Sequence, residues 1–203
     1  MRRKQGIDDH VVAGRHVPVV GTRTRKFSRV PPTGYRRVMA HKSLDVYLND
    51  HLSGAIVGSN LAEQIAERAE GTPLADVMTP LAAEIAEDRA TLEALMDRLG
   101  VSRNPVKQAT GRLAEAGSRI KFSGFASGQL DHGRFMALET LALGVRGKWS
   151  LWRALDAVRD DYPELQELEL AELLERAERQ YATLERERVA AAKEALGAAA
   201  AAS

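Results

Sequence analysis

Four side chains of the types that bind metal ions stand where helices could bring them together. They are His51, Glu84, Asp88 and Glu139. Carboxylate and imidazole groups suit iron, manganese or zinc, so these residues could support metal storage or oxidation. The 203 residues include no cysteine, which excludes disulfides, thiolate zinc sites and cysteine nucleophiles. No serine, histidine and acid arrangement indicates nucleophilic catalysis, so the sequence assigns no catalytic residue.

The same side chains also fit an interpretation without metal. Asp88 could pair with His51 across a helical hairpin, and Glu139 could pair with an arginine of a neighbouring helix, such as Arg89. Pairs of this kind fix the register of helices, although a buried ion pair often adds no net stability. We favour this interpretation and expect no cofactor, with iron or manganese as the alternative.

Long helices are expected to position these residues, because apolar residues recur three and four positions apart from residue 43 onward. The first helix is predicted from a cap at Ser43 to about Glu70. The second is predicted from a cap at Thr72 to Gly100. Pro80 lies inside the second helix and is expected to kink it or make it restart.

The second half of the chain is predicted to repeat this arrangement. A short helix is expected in the connection, residues 123–133 are predicted as a loop, and a third long helix is expected to end near Arg159. Tyr162 and Pro163 break the chain before a fourth helix over residues 164–196. No segment alternates with a period of two for long enough to predict a strand. The sequence therefore predicts an all-α fold: an antiparallel four-helix bundle of two hairpins, joined by a long crossover that contains the short helix.

Three stretches of the predicted bundle carry a family-like pattern. They are Tyr47-Leu-Asn-Asp-His-Leu, Glu84-Ile-Ala-Glu-Asp-Arg and the stretch from Glu139 to Leu155. Together with the order of the helices, they resemble the ferritin-like superfamily, and within it an uncharacterised group of small bacterial proteins. The resemblance covers residues 43–196.

Active members of the ferritin-like superfamily hold two metal ions with carboxylates from all four helices and a Glu-x-x-His motif on two of them. None of the five histidines here has a glutamate three positions before it, and Leu48 takes that position for His51. The resemblance therefore implies a bundle without a complete di-metal site. We expect a cytoplasmic interaction or stress-associated accessory protein, with an unknown protein partner or as a homodimer.

Charge divides the chain into unequal parts. Residues 1–38 hold ten lysines and arginines against two aspartates, a net charge of +8, whereas the rest of the chain carries −7. We predict a basic arm over 1–38, the bundle over 39–197 and an alanine-rich tail over 198–203. The arm could bind nucleic acid, an anionic membrane surface or the acidic body of the chain itself, could be a solvated tail without a partner, or could be translated sequence upstream of a natural start at Met39. No stretch approaches the roughly 20 apolar residues of a membrane span.

Two further features of the third helix indicate packing. Gly144 and Gly147 each cost about 1 kcal/mol relative to alanine in a helix interior, and the close approach of a neighbouring helix would explain them. Trp149 and Trp152 are predicted to lie in the core and at a helix crossing, and not to bind a cofactor.

Overall fold

A computed structural model describes residues 33–103 and 130–197, and the side chains of residues 33–38 and 130 lie outside that description. Within these ranges the structure is helical and has no strand, so the predicted all-α class is confirmed. The helices are α1 (Thr33–Arg68), α2 (Pro73–Arg98), α3 (Leu130–Ala157), α4 (Pro163–Gln166) and α5 (Leu170–Leu196), with a 3-10 turn at Arg159–Asp161 between α3 and α4. The predicted short helix of the connection, the arm before residue 33 and the tail from residue 198 fall outside the described residues.

α1 begins earlier than the sequence predicts. Ser43 lies inside this helix, and its hydroxyl donates a hydrogen bond of 3.0 Å to the backbone carbonyl of Met39. A serine hydroxyl can satisfy a carbonyl of the preceding turn in this way, as well as cap a helix. The prediction of a cap at Ser43 is therefore wrong, and residues 33–38 of the predicted arm have helical backbone.

The turn between α1 and α2 follows the prediction closely. Gly71 adopts a φ of +78°, a left-handed conformation that glycine accepts without steric cost. Thr72 is the N-cap residue, with extended backbone before the helical Pro73. Its hydroxyl does not cap the helix, because it donates instead to the carbonyl of Ala69 at 2.7 Å. Gly100, with a φ of +67°, follows the end of α2.

Two boundaries differ from the prediction. α2 runs through the exposed Pro80 without interruption, so the alternative of a restart there is wrong. α3 begins at Leu130, so the last residues of the loop predicted over 123–133 are helical.

The helix predicted over 164–196 is two helices. α4 ends at Gln166 and α5 begins at Leu170, while Leu165, Leu168 and Leu170 are all buried. At 3.6 residues per turn, a continuous helix would place Leu168 and Leu170 about 200° apart. The break between α4 and α5 allows both leucines to reach the core.

The core consists of two buried clusters that span α1, α2, α3 and α5. The first part of α1 packs there with the last part of α2, and the last part of α1 with the first part of α2. α1 packs extensively along α2 and α3 along α5, whereas the contact between α1 and α3 is less extensive. In the part of the chain that the structure describes, no helix is long and apolar enough to cross a membrane.

Candidate functional site

Asp88 is the centre of a buried polar network between α2, α3 and α5. Its side chain has no exposed surface. Lys148 of α3 is ion-paired with Oδ2 of Asp88, and Arg176 of α5 is ion-paired with Oδ1. Arg176 also lies with Nη1 3.3 Å from Oε2 of Glu87. A charge that is removed from water needs oppositely charged partners. The buried carboxylate has two such partners, one from each of two other helices.

Gln180 of α5 extends the network toward Glu84. It is 1% exposed, and its Oε1 accepts a hydrogen bond from Nζ of Lys148. Its Nε2 donates to Oε2 of Glu84 at 2.9 Å and to Oδ2 of Asp88 at 3.3 Å. The buried amide therefore has partners for both its oxygen and its nitrogen, and it brings two of the predicted metal candidates together.

The network changes the acid–base behaviour of Lys148. Burial lowers the pKa of its ammonium group from the ordinary value, and the negative charge of Asp88 opposes this change. The lysine side chain retains 15% exposure, so it is largely removed from water.

His51 lies on α1 and does not form the predicted pair with Asp88. Its ring packs edge-on against Tyr47, with the ring centroids 4.5 Å apart. Burial lowers the pKa of His51, which favours the neutral imidazole. The predicted His51–Asp88 pair is wrong, because Lys148 and Arg176 take both carboxylate oxygens of Asp88.

Glu139 pairs with an arginine of a neighbouring helix, as predicted, but this arginine is not Arg89. Nη1 of Arg188 on α5 lies 3.3 Å from Oε2 of Glu139. Arg89 pairs instead with Glu93, one turn further along α2, at 2.8 Å. The reason is the packing of α3 along α5, which places an arginine of α5 beside Glu139.

The four metal candidates do not form one cluster. Glu84 and Asp88 meet through Gln180, and His51 and Asp88 line the same cavity, but Glu139 is not among the residues of that cavity. Within residues 33–103 and 130–197, no group of three or more histidines and acids is placed to hold a metal ion.

The cavity shared by His51 and Asp88 lies between α1 and α3, with residues of α2 also in its wall, and has a volume of about 410 Å³. Lys148 lines it as well, so the buried network forms part of its wall. Most of the other lining side chains are apolar, among them Leu61, Ile85, Leu92, Leu141, Val145 and Leu151. The cavity is therefore an apolar space with a small polar region.

Four helical glycines line the cavity: Gly54 and Gly58 of α1, and Gly144 and Gly147 of α3. A Cβ atom added at any of them would meet no atom of the described residues within 4 Å. The predicted close helix approach at Gly144 and Gly147 is therefore wrong. These glycines border open space, because α1 and α3 share only a limited contact.

The two tryptophans of α3 occupy the places that the sequence predicts. Trp152 is 1% exposed in the core and lines the cavity, and its Nε1–H has no hydrogen-bond acceptor among the described residues. Trp149 is half-buried at the contact with α5, where its Nε1 donates to Oε1 of Glu178 at 3.1 Å. The guanidinium of Arg146 lies 4.6 Å from the centroid of the Trp149 ring.

The sequence-based candidates omit Lys148, Arg176 and Gln180. A signal for two of them exists in the apolar stripes. Lys148 lies three residues after Val145 and four before Trp152, and Gln180 lies three residues after Ala177 and four before Leu184. A polar residue at such a position faces the core, where it needs a partner.

Comparison with known proteins gives no match: no family model, no curated protein and no solved structure is significantly similar to the chain. The resemblance to ferritin-like proteins therefore rests on the quoted stretches and on the order of the helices.

Proposed function

We propose that this chain is a cytoplasmic, ferritin-like four-helix bundle that acts by binding other molecules, as an interaction or accessory protein, and not by redox chemistry at a metal centre. The observation that supports this most directly is the pairing of Asp88 with both Lys148 and Arg176. A metal ion at Asp88 would have to displace these cations or share the carboxylate with them, and like charges in a buried space repel strongly.

The helix contacts support an antiparallel four-helix arrangement as part of this proposal. Opposite ends of α1 and α2 pack together, and α3 and α5 form the second extensive pair. A connection between two such pairs matches the bundle topology with one crossover. Glu84 and Asp88 then have a structural role, since their oxygens are held by groups from the second pair.

Elemental analysis by mass spectrometry tests the proposal. The full chain, without a histidine tag, is expressed in medium supplemented with iron and manganese, and its helicity is measured by circular dichroism. We expect a folded, helical protein with less than about a tenth of an equivalent of metal. One or two equivalents that are lost in His51→Ala, and retained in His132→Ala, would overturn the proposal. His132 is a suitable control because it is half-buried on α3 and does not line the cavity.

Analytical ultracentrifugation tests whether the predicted partner is a second copy of the chain. A homodimer doubles the chain mass of 22.2 kDa. If the chain is a monomer at every concentration, the homodimer is excluded, and the proposed partner must be a different molecule.

A further inference from the structure

We propose that the cavity between α1 and α3 binds an uncharged, mainly apolar small molecule that carries a hydrogen-bond acceptor, such as a carbonyl oxygen. The inference rests on the proposed binding role and names the ligand class of one site. Three independent properties of the cavity support it: its glycines, its charge balance and the unused hydrogen-bond donor of Lys148.

The glycines keep the cavity open at a cost to the helices. Gly54 and Gly58 lie one turn apart on α1, and Gly144 and Gly147 lie one turn apart on α3. Glycine in a helix interior is unfavourable relative to alanine, and the described residues provide no packing reason for any of the four. Their shared effect is the space that they border. Its volume of about 410 Å³ lies within the range of small-molecule sites, roughly 300–1,000 Å³.

The charges around the cavity are balanced. Two acids, Asp50 and Asp88, and two bases, Arg89 and Lys148, line it. Asp88 is further paired with Arg176, and Arg89 with Glu93. An ionic ligand would lose its contact with water and would find no unpaired opposite charge in the cavity, and burying a charge in this way is costly. An uncharged ligand avoids this cost and gains from contact with the apolar wall.

One donor at the cavity, the ammonium group of Lys148, is available to an acceptor atom. An ammonium group has three protons, and the structure provides Lys148 with two acceptors, Oδ2 of Asp88 and Oε1 of Gln180. A ligand oxygen at this end of the cavity would accept a hydrogen bond from the remaining proton of Lys148. A pure hydrocarbon would leave this proton without an acceptor.

Benzophenone and diphenylmethane are matched probes, because they differ only in the carbonyl group. Binding of each to the full chain is measured by NMR titration. We expect saturable binding of one benzophenone per chain, with about tenfold higher affinity than diphenylmethane, which corresponds to one hydrogen bond to a charged donor. Irradiation of bound benzophenone is expected to attach it to cavity-lining residues of α1, α2 and α3, as mapped by mass spectrometry.

Two variants of α3 test the location. Gly147→Leu adds an isobutyl group at a glycine of the cavity, whereas Ala154→Leu adds leucine at an exposed position outside it. We expect at least a tenfold loss of benzophenone affinity in Gly147→Leu and no change in Ala154→Leu. Lys148→Met is expected to abolish the preference for benzophenone over diphenylmethane. If Lys148→Met does not fold, the two leucine variants and the mapped attachment sites still decide the question.

Several results would overturn the inference. They are equal affinities for the two probes, equal binding by the two leucine variants, and attachment outside the cavity. A second occupant to consider is another copy of the chain, since Leu143 at the rim of the cavity is 68% exposed. A second copy of the chain would be the occupant if the wild type forms dimers that Gly147→Leu dissociates and the wild type does not bind benzophenone. This result would overturn the small-molecule site. Bound metal would contradict the proposed function but leave the results with benzophenone unaffected.

Discussion

Lys148 and Asp88 join α3 to α2 through an ion pair whose acid has no exposed surface and whose base retains 15% exposure. Gln180 and Arg176 contact the same pair from α5. Three helices that are far apart in the chain therefore meet at one carboxylate. A substitution of Asp88 is therefore expected to affect the contacts between all three helices.

Asp88→Ala is expected to lower the free energy of unfolding by about 3 kcal/mol, because it leaves two cations of the network without their shared partner. The measurement is urea denaturation followed by circular dichroism. Asp97→Ala is the control, since Asp97 forms an exposed pair with Arg103 at the surface, and little change is expected there. Equal losses in the two variants would contradict the central role of Asp88.

A double-mutant cycle measures the Lys148–Asp88 pair itself. Lys148→Met and Asp88→Asn are expected to be non-additive, with a coupling free energy of about 1–3 kcal/mol, because each single change removes the same contact. The double variant should therefore lose less stability than the sum of the single losses. Strict additivity would show that the two side chains act independently.

Alanine in place of a cavity glycine is expected to stabilise the protein. Gly58→Ala and Gly144→Ala should each raise the free energy of unfolding by about 0.5–1 kcal/mol, because the new methyl group meets open space and the helix gains propensity. Gly71→Ala is the contrasting control. Its φ of +78° is unfavourable for alanine, so this variant should be less stable than the wild type. A loss of stability in Gly58→Ala and Gly144→Ala would contradict this prediction, because it would indicate that the new methyl groups meet other atoms and not open space.

His51 is expected to make stability depend on pH. Its pKa is lowered in the folded protein, so between that lowered value and the ordinary value of 6.5 the unfolded chain binds more protons. The free energy of unfolding should therefore fall as the pH decreases through this window. Above pH 6.5 the imidazole is mainly neutral in both the folded and the unfolded chain, so His51 should cause no further change in stability there. His51→Gln should show a smaller decrease from pH 7.5 to 5 than the wild type. Identical pH profiles for His51→Gln and the wild type would contradict the burial effect.

Where the local sequence signals are strong, they predicted the helices correctly. The Gly71-Thr72-Pro73 sequence placed the start of α2, and the apolar stripe placed Asp88 on a buried face. Ser43 was misleading, because a serine hydroxyl can satisfy a carbonyl inside a helix as well as cap one. The end of α4 required knowledge of the core, since a break is favoured only when Leu168 and Leu170 must both be buried.

The partners of the polar residues could not be predicted from periodicity. A stripe indicates which face of a helix is buried, but not how far one helix is shifted along another. That shift decides whether Asp88 meets His51 or Lys148, and whether Glu139 meets Arg89 or Arg188. The long stems of lysine and arginine add a second difficulty, because their charged ends lie far from the backbone positions that the pattern locates.

The limited contact between α1 and α3 has a consequence for internal motion. The pairs α1–α2 and α3–α5 each hold together through extensive packing, whereas the contacts between the pairs, α1–α3 and α2–α5, are less extensive. The seam between the two pairs, which includes the cavity, therefore separates with less loss of contact than either pair does. Brief opening along this seam would leave the backbone hydrogen bonds of both pairs intact, as in other cooperative subunits of small proteins. Such opening would admit a molecule to the cavity. A molecule that bridges α1 and α3 would then hold the seam closed.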